Sequence, residues 1–331
     1  MADLSTKYLG IELRSPLIVG SSNLPSSIDN IKQMENNGAG AVVLKSLYEE
    51  EILFGLNPNA ATSLKNNPNY HDLAETVEYV GKYQKEKRLD NYLEFIKNAK
   101  LKTSVPIIAS INCYTDTEWV DFLEKIAEAG ADAIELNVSF NPVSINAHDY
   151  KNTIVKIISK AVKRVSIPIS VKIGKRFANL GASLLELSGK GIKGVVLFNR
   201  AFSPDIDTEN FFIAAGNVYS LPTDHLIPLR WIALISNKID CSIVAATGIH
   251  HSNAIIKQIL AGADAVQMVS ALYLNGTNYL NRMNEELERW MTKKGYNTIE
   301  DFKGKMNYSS IVNPTTFERI QFMKYYGKIG D

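Results

Sequence analysis

The chain of 331 residues has only two cysteines, Cys113 and Cys241, and neither belongs to a Cys-x-x-Cys pair. A disulfide scaffold, a zinc ribbon and an iron–sulfur cluster are therefore disfavoured. Net charge is +1 and no basic block stands out, so nucleic acid and anionic membrane are not expected partners. No run approaches the ~20 apolar residues needed to span a bilayer. The opening MADLSTKYLGIELRSP has no apolar signal core and no Arg-rich transit character. These absences predict a soluble, reduced, cytoplasmic protein. No inter-domain linker is visible, so one domain over 1–331 is expected.

What is present is apolar material in a regular order. Hydrophobic residues make up 45% of the chain and charged residues 21%, enough for a sizeable core. Short apolar runs occur at Leu17–Gly20, Ala41–Lys45, Pro106–Asn112, Ala133–Ser139, Pro168–Ile173, Gly194–Asn199, Ser242–Thr247 and Ala265–Val269. Such runs suit strands buried on both faces. Amphipathic stretches lie between them, clearest at Trp119–Ala129, Tyr150–Val165 and Asn253–Ala261. "ENNGAGAVVLK", "AEAGADAIELN", "GKGIKGVVLFN" and "LAGADAVQMVS" each join a helix end to a strand through Gly and a small residue. The Gly suits a left-handed helix C-cap. Eight strand–helix alternations predict an α/β fold, a (β/α)8 TIM barrel.

Three segments exceed the minimal barrel. Asn57–Arg88, after strand 2, opens as an Asn/Pro-rich loop and continues as an expected helix, Asp72–Lys87. Ser203–Leu226, after strand 6, reads as a lid or a hairpin. Asn307–Asp331 reads as a C-terminal helical tail through "TTFERIQFMKYY". Long loops after barrel strands commonly carry substrate contacts.

The strand ends are polar, and barrel active sites sit at that rim. Strand 1 ends in Gly20-Ser21-Ser22, strand 2 in Lys45-Ser46 and strand 3 in Asn112-Cys113. Strand 4 ends in Asn137-Val138-Ser139, strand 5 in Lys172 and strand 6 in Asn199-Arg200. Strand 7 ends in Thr247-Gly248 and strand 8 in Ser270. The bland alternative is a set of solvated turn residues. A lysine closing a buried run needs an anionic or acceptor partner, because an unpaired buried ammonium is very costly. The pyrimidine end of an isoalloxazine ring supplies acceptors, and asparagine can bond such a ring edge as donor and acceptor at once. After strand 7, Gly248 and a helix beginning near Ser252 suit a phosphate, since backbone amides and a helix N-terminus both favour an anion. An ordinary strand–turn–helix is the alternative there.

"LRSPLIVGSS", "GAVVLKS", "IELNVS", "ISVKIG", "VVLFN" and "ATGI…AGADAVQMVSAL" resemble the dihydroorotate dehydrogenase family in order and spacing. The likeness runs from about residue 5 to 305 and is nearer the soluble class. "VVLFNRAFSPDID" and "PLRWIALI" resemble its dihydroorotate dehydrogenase-like branch. The resemblance implies FMN at the C-terminal ends of the strands. It implies that Gly20, Ser21 and Ser22 run along the flavin, and that Lys45 and Ser46 face the ring. Asn112 and Asn137 would bond flavin or substrate, and Lys172 would sit against the ring's pyrimidine end. Asn199 would reach the substrate, while Thr247, Gly248 and Ser270 would hold the phosphate. The family normally has a second Gly where Thr247 stands, and a Thr hydroxyl can also donate to phosphate. A dihydropyrimidine-like substrate, a place in pyrimidine biosynthesis and a homodimer are implied too.

One departure touches the chemistry. The family keeps a Cys or Ser base in an Asn-x-Ser-(Cys/Ser)-Pro-Asn stretch, and general-base catalysis contributes ~10²–10⁴-fold. Here the stretch is Asn137-Val138-Ser139-Phe140-Asn141-Pro142, and Phe140 accepts no proton. The loop around Asn57-Pro58-Asn59 only faintly echoes the family's substrate loop. Cys113 is a candidate replacement base or a small buried filler. With Lys45, Asn137 and Asn199 it completes the expected catalytic set. Ser139 reads as a hydrogen-bonding partner, His148 as a surface residue, and His250 and His251 as capping or phosphate contacts. Arg200, Asp205 and Asp207 form either an ion-paired loop or an anion site. Glu49-Glu50-Glu51 reads as a solvated helix start.

Three functions follow. The first is an FMN oxidoreductase acting on a CH–CH bond beside a carbonyl, by hydride transfer to the flavin. The second is an FMN protein with another substrate or an accessory redox role, motivated by Phe140. The third is a flavin-free aldolase or isomerase using Lys45 or Lys172 as a Schiff-base amine. No metal-ligand spacing is present, and the electron acceptor is not legible.

Overall fold

Strands that are apolar on both faces have to be covered on both, and here they close on themselves and are wrapped in helices. A computed structural model of the protein describes residues 2–56, 88–139, 150–175, 177, 179–200 and 203–317. A hairpin of β1 (Thr6–Tyr8) and β2 (Ile11–Leu13) comes first, paired antiparallel. Then come β3 (Leu17–Val19), α1 (Ile28–Asn36), β4 (Ala41–Val43), β5 (Leu47–Tyr48) and α2 (Glu49–Leu56). These lead to α3 (Arg88–Lys102), β6 (Ile107–Cys113), α4 (Phe122–Glu128), β7 (Ala133–Val138), α5 (Tyr150–Arg164) and β8 (Ile169–Ile173). Next are α6 (Leu180–Ser188), β9 (Gly194–Leu197) and a second hairpin of β10 (Pro204–Asp207) and β11 (Phe212–Ala215). Last come α7 (Leu226–Ile235), β12 (Ser242–Ala246), α8 (Ser252–Ala261), β13 (Ala265–Met268), α9 (Ser270–Asn275) and α10 (Tyr279–Lys294).

The large sheet runs β4-β3-β13-β12-β9-β8-β7-β6-β5, and β4 also pairs with β6, which closes the barrel. Its ladders are parallel. β4 and β5 together fill the second strand position, so the barrel has the eight strand positions of the expected (β/α)8 TIM fold.

Alternation along each strand sorts the core into two layers. Leu17, Val42, Ile107, Ala109 and Val171 join the layer between strands and helices. Ile18, Ala41, Val43, Ile108, Ala133, Val196, Val244 and Ala265 pack inside the barrel with Tyr8, Leu9 and Leu13. The first hairpin therefore plugs the barrel, an element that the three-residue strands left invisible in the sequence. It turns at Leu9 and Gly10, both at positive φ. Helix ends follow their capping chemistry. The Ser27 hydroxyl accepts from Asn30 N at the start of α1, and Gly262 closes α8 in the left-handed conformation, as the recurring turn signature predicts.

Two sequence expectations change, and of the lid and the hairpin expected after β9 the structure shows the hairpin. The stretch Trp119–Ala129 begins as a 3-10 turn, Glu118–Asp121, before α4. The segment after β9 is a hairpin followed by a 3-10 turn, Pro222–His225. Glu49 and Glu50 are not solvated but buried, at 0% and 2% exposure. The expected helix Asp72–Lys87 and residues 318–331 of the C-terminal tail lie outside the described residues, and Pro314–Phe317, in the described part of the tail, is a 3-10 turn. Among the described residues no helix is long and apolar enough to cross a membrane.

Candidate active site

Ladder register places the polar strand ends side by side. Asn112 pairs with Asn137, and Asn137 with Lys172, so β6, β7 and β8 deliver three polar side chains in one row. Asn112 and Asn137 are half-buried, and Lys172 is buried. Asn137 Oδ1 is shielded from solvent and, among the described residues, has no hydrogen-bond partner. Buried polar atoms are normally paired, so an orphan at a barrel mouth points to a ligand. Lys45 lies at the same rim with its side chain exposed, and Asn199 is half-buried just past β9, after a cis Leu197–Phe198 peptide.

One layer deeper, a charged network fills the barrel. Lys172 Nζ donates to Gln267 Oε1 at 2.8 Å, Gln267 Nε2 donates to Glu135 Oε2, and Lys172 Nζ lies 3.5 Å from Glu135 Oε1. Glu135 is fully buried and Gln267 nearly so. Sequence reasoning missed both residues. The signal was there, because Glu135 shares its strand face with Asn137 and is an acid inside an apolar run. Lys172, foreseen as needing an anionic partner, already has one in the protein.

The serines bind one another. Ser46 N donates to Ser21 Oγ at 3.1 Å, the two hydroxyls are 3.1 Å apart, and Ser46 Oγ is 2.8 Å from Ser110 Oγ. This chain stitches the ends of β3 and β4 to the middle of β6. Ser22 instead closes its own turn, donating to Gly20 O and accepting from Leu24 N. Gly20 is held to glycine by its neighbours, for an added Cβ would lie 2.8 Å from Val269 Cγ2 and 3.2 Å from Gln267 Oε1.

The turn after β12 has a strained backbone. Thr247 and Gly248 both have φ of +77°, and for a β-branched residue that conformation costs on the order of 1–3 kcal/mol. The Thr247 hydroxyl donates to Phe198 O at 3.0 Å, which fastens the turn to β9 and engages the donor that the sequence offered to phosphate. Among the described residues the backbone N–H groups of Gly248 and Ile249 make no hydrogen bond. They precede α8, whose N-terminal end favours an anion. Gly248 also packs tightly, since a Cβ would meet His225 N at 2.2 Å. Ser270 Oγ accepts from Ser220 N at 3.0 Å.

The remaining candidates separate from this cluster. Cys113 is fully buried in the layer between barrel and helices, on the strand face opposite Asn112. Burial first, then the charges of Glu49 and Glu50, pushes its thiol well above the ordinary range. The structure therefore does not bring Cys113 to the mouth. Arg200 donates to the carbonyls of Asn217 and Val218, Asp205 accepts from Ile206 N, and Asp207 accepts from Glu209 N and Asn210 N. All three shape the hairpin and the irregular segment that follows it, rather than an ion-paired cluster. His250 Nε2 lies 2.9 Å from Ser220 Oγ, while His251 is exposed at the N-cap of α8 without a side-chain capping bond. The Ser139 side chain is exposed, and its N–H donates to Cys113 O. Phe140, Asn141, Pro142, His148 and Asn57-Pro58-Asn59 lie outside the described residues. Among the described residues no group of three or more His, Cys, Asp or Glu side chains is placed to hold a metal ion.

The family model described as dihydroorotate dehydrogenase matches residues 3–291. The chain belongs to the dihydroorotate dehydrogenase family. Similar relatives include the proteins named dihydroorotate dehydrogenase B (NAD(+)), catalytic subunit, from Thermoplasma acidophilum and Pyrococcus abyssi. The first is 27% identical over 312 residues, covering 92% of this chain and 99% of that one. The second is 26% identical over 317 residues, covering 91% and 97%. As a dihydroorotate dehydrogenase family member the chain is an oxidoreductase of the class acting on CH–CH groups.

Proposed function

We propose that this protein binds FMN at the C-terminal mouth of its barrel and oxidises the CH–CH bond of a dihydropyrimidine-like substrate beside a carbonyl. The orphaned Asn137 Oδ1, flanked in register by Asn112 and Lys172, carries this reading. The residues present fit the cofactor. Asn112 and Asn137 supply donors and acceptors for ring or substrate edges. Lys172 would place a positive charge beside the ring's pyrimidine end, and Lys45 would offer a second from the exposed rim. Gly20 leaves the wall next to Gln267 free of a side chain. The free N–H groups of Gly248 and Ile249, with α8 behind them, suit the phosphate. Ser21, Ser22, Ser46 and Ser270 shape the surrounding turns, and Asn199, just past β9, would meet the substrate.

When bound, FMN supplies the hydride acceptor. The protein's part is to hold substrate and ring in register and to exclude water. Dihydroorotate is the first substrate to test, by analogy with the relatives' names. The purified protein is expected to be yellow, and anaerobic dihydroorotate is expected to bleach it. A colourless protein that retains no added FMN refutes the reading. Phe140 at the family's base position favours a narrower second reading, in which the flavin is bound but a different dihydropyrimidine reduces it. Unchanged flavin absorbance with dihydroorotate, and bleaching by another member of a dihydropyrimidine panel, selects that one. The proposal also keeps a cytoplasmic homodimer, which size-exclusion chromatography with light scattering tests.

A further inference from the structure

We propose that Glu135 and Gln267 are positioning residues that together meter how much of the Lys172 charge reaches the bound flavin. The proposal rests on the flavin reading above. Register puts Glu135 two residues deeper on β7 than Asn137, opposite Ser170 on β8, so its carboxylate lies beneath the mouth rather than in it. It is fully buried, and Lys172 is the cation paired with it among the described residues. Their separation of 3.5 Å is longer than a direct charge-assisted hydrogen bond. Gln267 takes the intermediate place. Its carbonyl oxygen accepts from Lys172 Nζ at 2.8 Å and its amide donates to Glu135 Oε2. The amide thus keeps acid and ammonium from collapsing into a tight pair. Gly20 protects that arrangement, because a side chain there would press on Gln267 Oε1.

An ammonium has three donors. One goes to Gln267 and one lies toward Glu135, which leaves the third for the mouth. Positive charge beside the ring's pyrimidine end stabilises the negative charge of the reduced ring. A carboxylate behind the lysine subtracts from that field, and the subtraction grows as the pair tightens. Glu135→Gln keeps an acceptor for the Gln267 amide but removes the opposing charge. Gln267→Met removes the spacer and lets Lys172 close on Glu135. The two variants are therefore expected to move the flavin midpoint potential in opposite directions, upward for Glu135→Gln and downward for Gln267→Met. General loosening of the site would move both the same way.

The experiment is an anaerobic potentiometric titration of the full-length, FMN-loaded wild type and both variants. Opposite shifts support the proposal. Shifts of one sign, or no shift in either, overturn it while leaving the flavin reading intact. A wild type that takes up no FMN refutes the flavin reading and this inference with it. If Glu135→Gln fails to fold, Gln267→Met decides alone, since a downward shift supports the proposal and an unchanged or raised potential overturns it.

Discussion

The Ser220 hydroxyl lies 2.9 Å from Nε2 of His250, both residues buried, and this contact ties the segment after the β10–β11 hairpin to the turn that follows β12. Two further bonds reinforce it. Ser220 N donates to Ser270 Oγ, and the Tyr279 hydroxyl donates to His250 O. The segment is thereby fixed over the turn assigned to the phosphate.

The tie makes stability sensitive to acid. Burial is the main cause that holds the His250 pKa below its ordinary 6.5, with the Ser220 contact opposing it and His251 adding to it. The folded state therefore keeps the ring neutral where the unfolded chain would protonate it. That contribution is complete above pH 6.5 and is lost as pH falls from there through the depressed folded value. Thermal unfolding across this window is expected to show a steeper fall in Tm for wild type than for His250→Gln. Equal slopes would remove His250 as the titrating group.

Removing Lys172 strands a fully buried carboxylate. Breaking one side of a buried pair typically costs about 3–5 kcal/mol. Lys172→Met is expected to lower unfolding stability by about that much in urea denaturation. Adding Glu135→Gln to Lys172→Met is expected to recover a large part of the loss, because the uncompensated charge is then gone. A double variant no more stable than the single one would show that packing, not charge, sets the cost.

The barrel was legible because its evidence is periodic. Apolar runs such as Ile107–Ala109 and Val195–Leu197 suit a strand buried on both faces of a parallel sheet, and Gly262 marks a helix end by the conformation only glycine adopts cheaply. The rim residues were legible because Asn112, Asn137 and Lys172 interrupt such runs at their C-terminal ends. Side-chain partnership was not. Lys172 and Gln267 meet across 95 positions of sequence, and neither residue announces the other. Cys113 was placed beside Asn112 by adjacency, yet a strand sends neighbours to opposite faces. The acidic run at Glu49 was misread for the converse reason, since a helix start is solvated only when nothing packs against it.

Glu49 has a definite task. Its carboxylate accepts from Tyr114 N at 2.8 Å, Thr115 N at 3.0 Å and Thr115 Oγ1 at 2.9 Å. It thereby fixes the loop that leaves β6 just beyond Asn112. Hydrogen bonds to a charged acceptor are worth roughly 1.5–3 kcal/mol each. Glu49→Ala is expected to cost about 3 kcal/mol and to speed amide exchange at Tyr114 and Thr115 ahead of the rest of β6. Unchanged protection at those two amides would contradict the clamp.

Cys113 offers the sharpest separation between sequence neighbourhood and chemistry. A base must present a proton-accepting form at the reacting atom, and for cysteine that form is the thiolate. The Cys113 thiol is buried against the helices, and burial drives its pKa well above the usual value, so the thiolate is scarce at neutral pH. Cys113→Ala is therefore expected to keep the rate at which substrate reduces the flavin, with a packing loss of about 1 kcal/mol in stability. Thiol reagents are expected to leave Cys113 unmodified in the folded protein and to label it only on unfolding. A drop in flavin reduction of ~10²-fold or more in Cys113→Ala, the size expected for a lost general base, would return the residue to the mechanism.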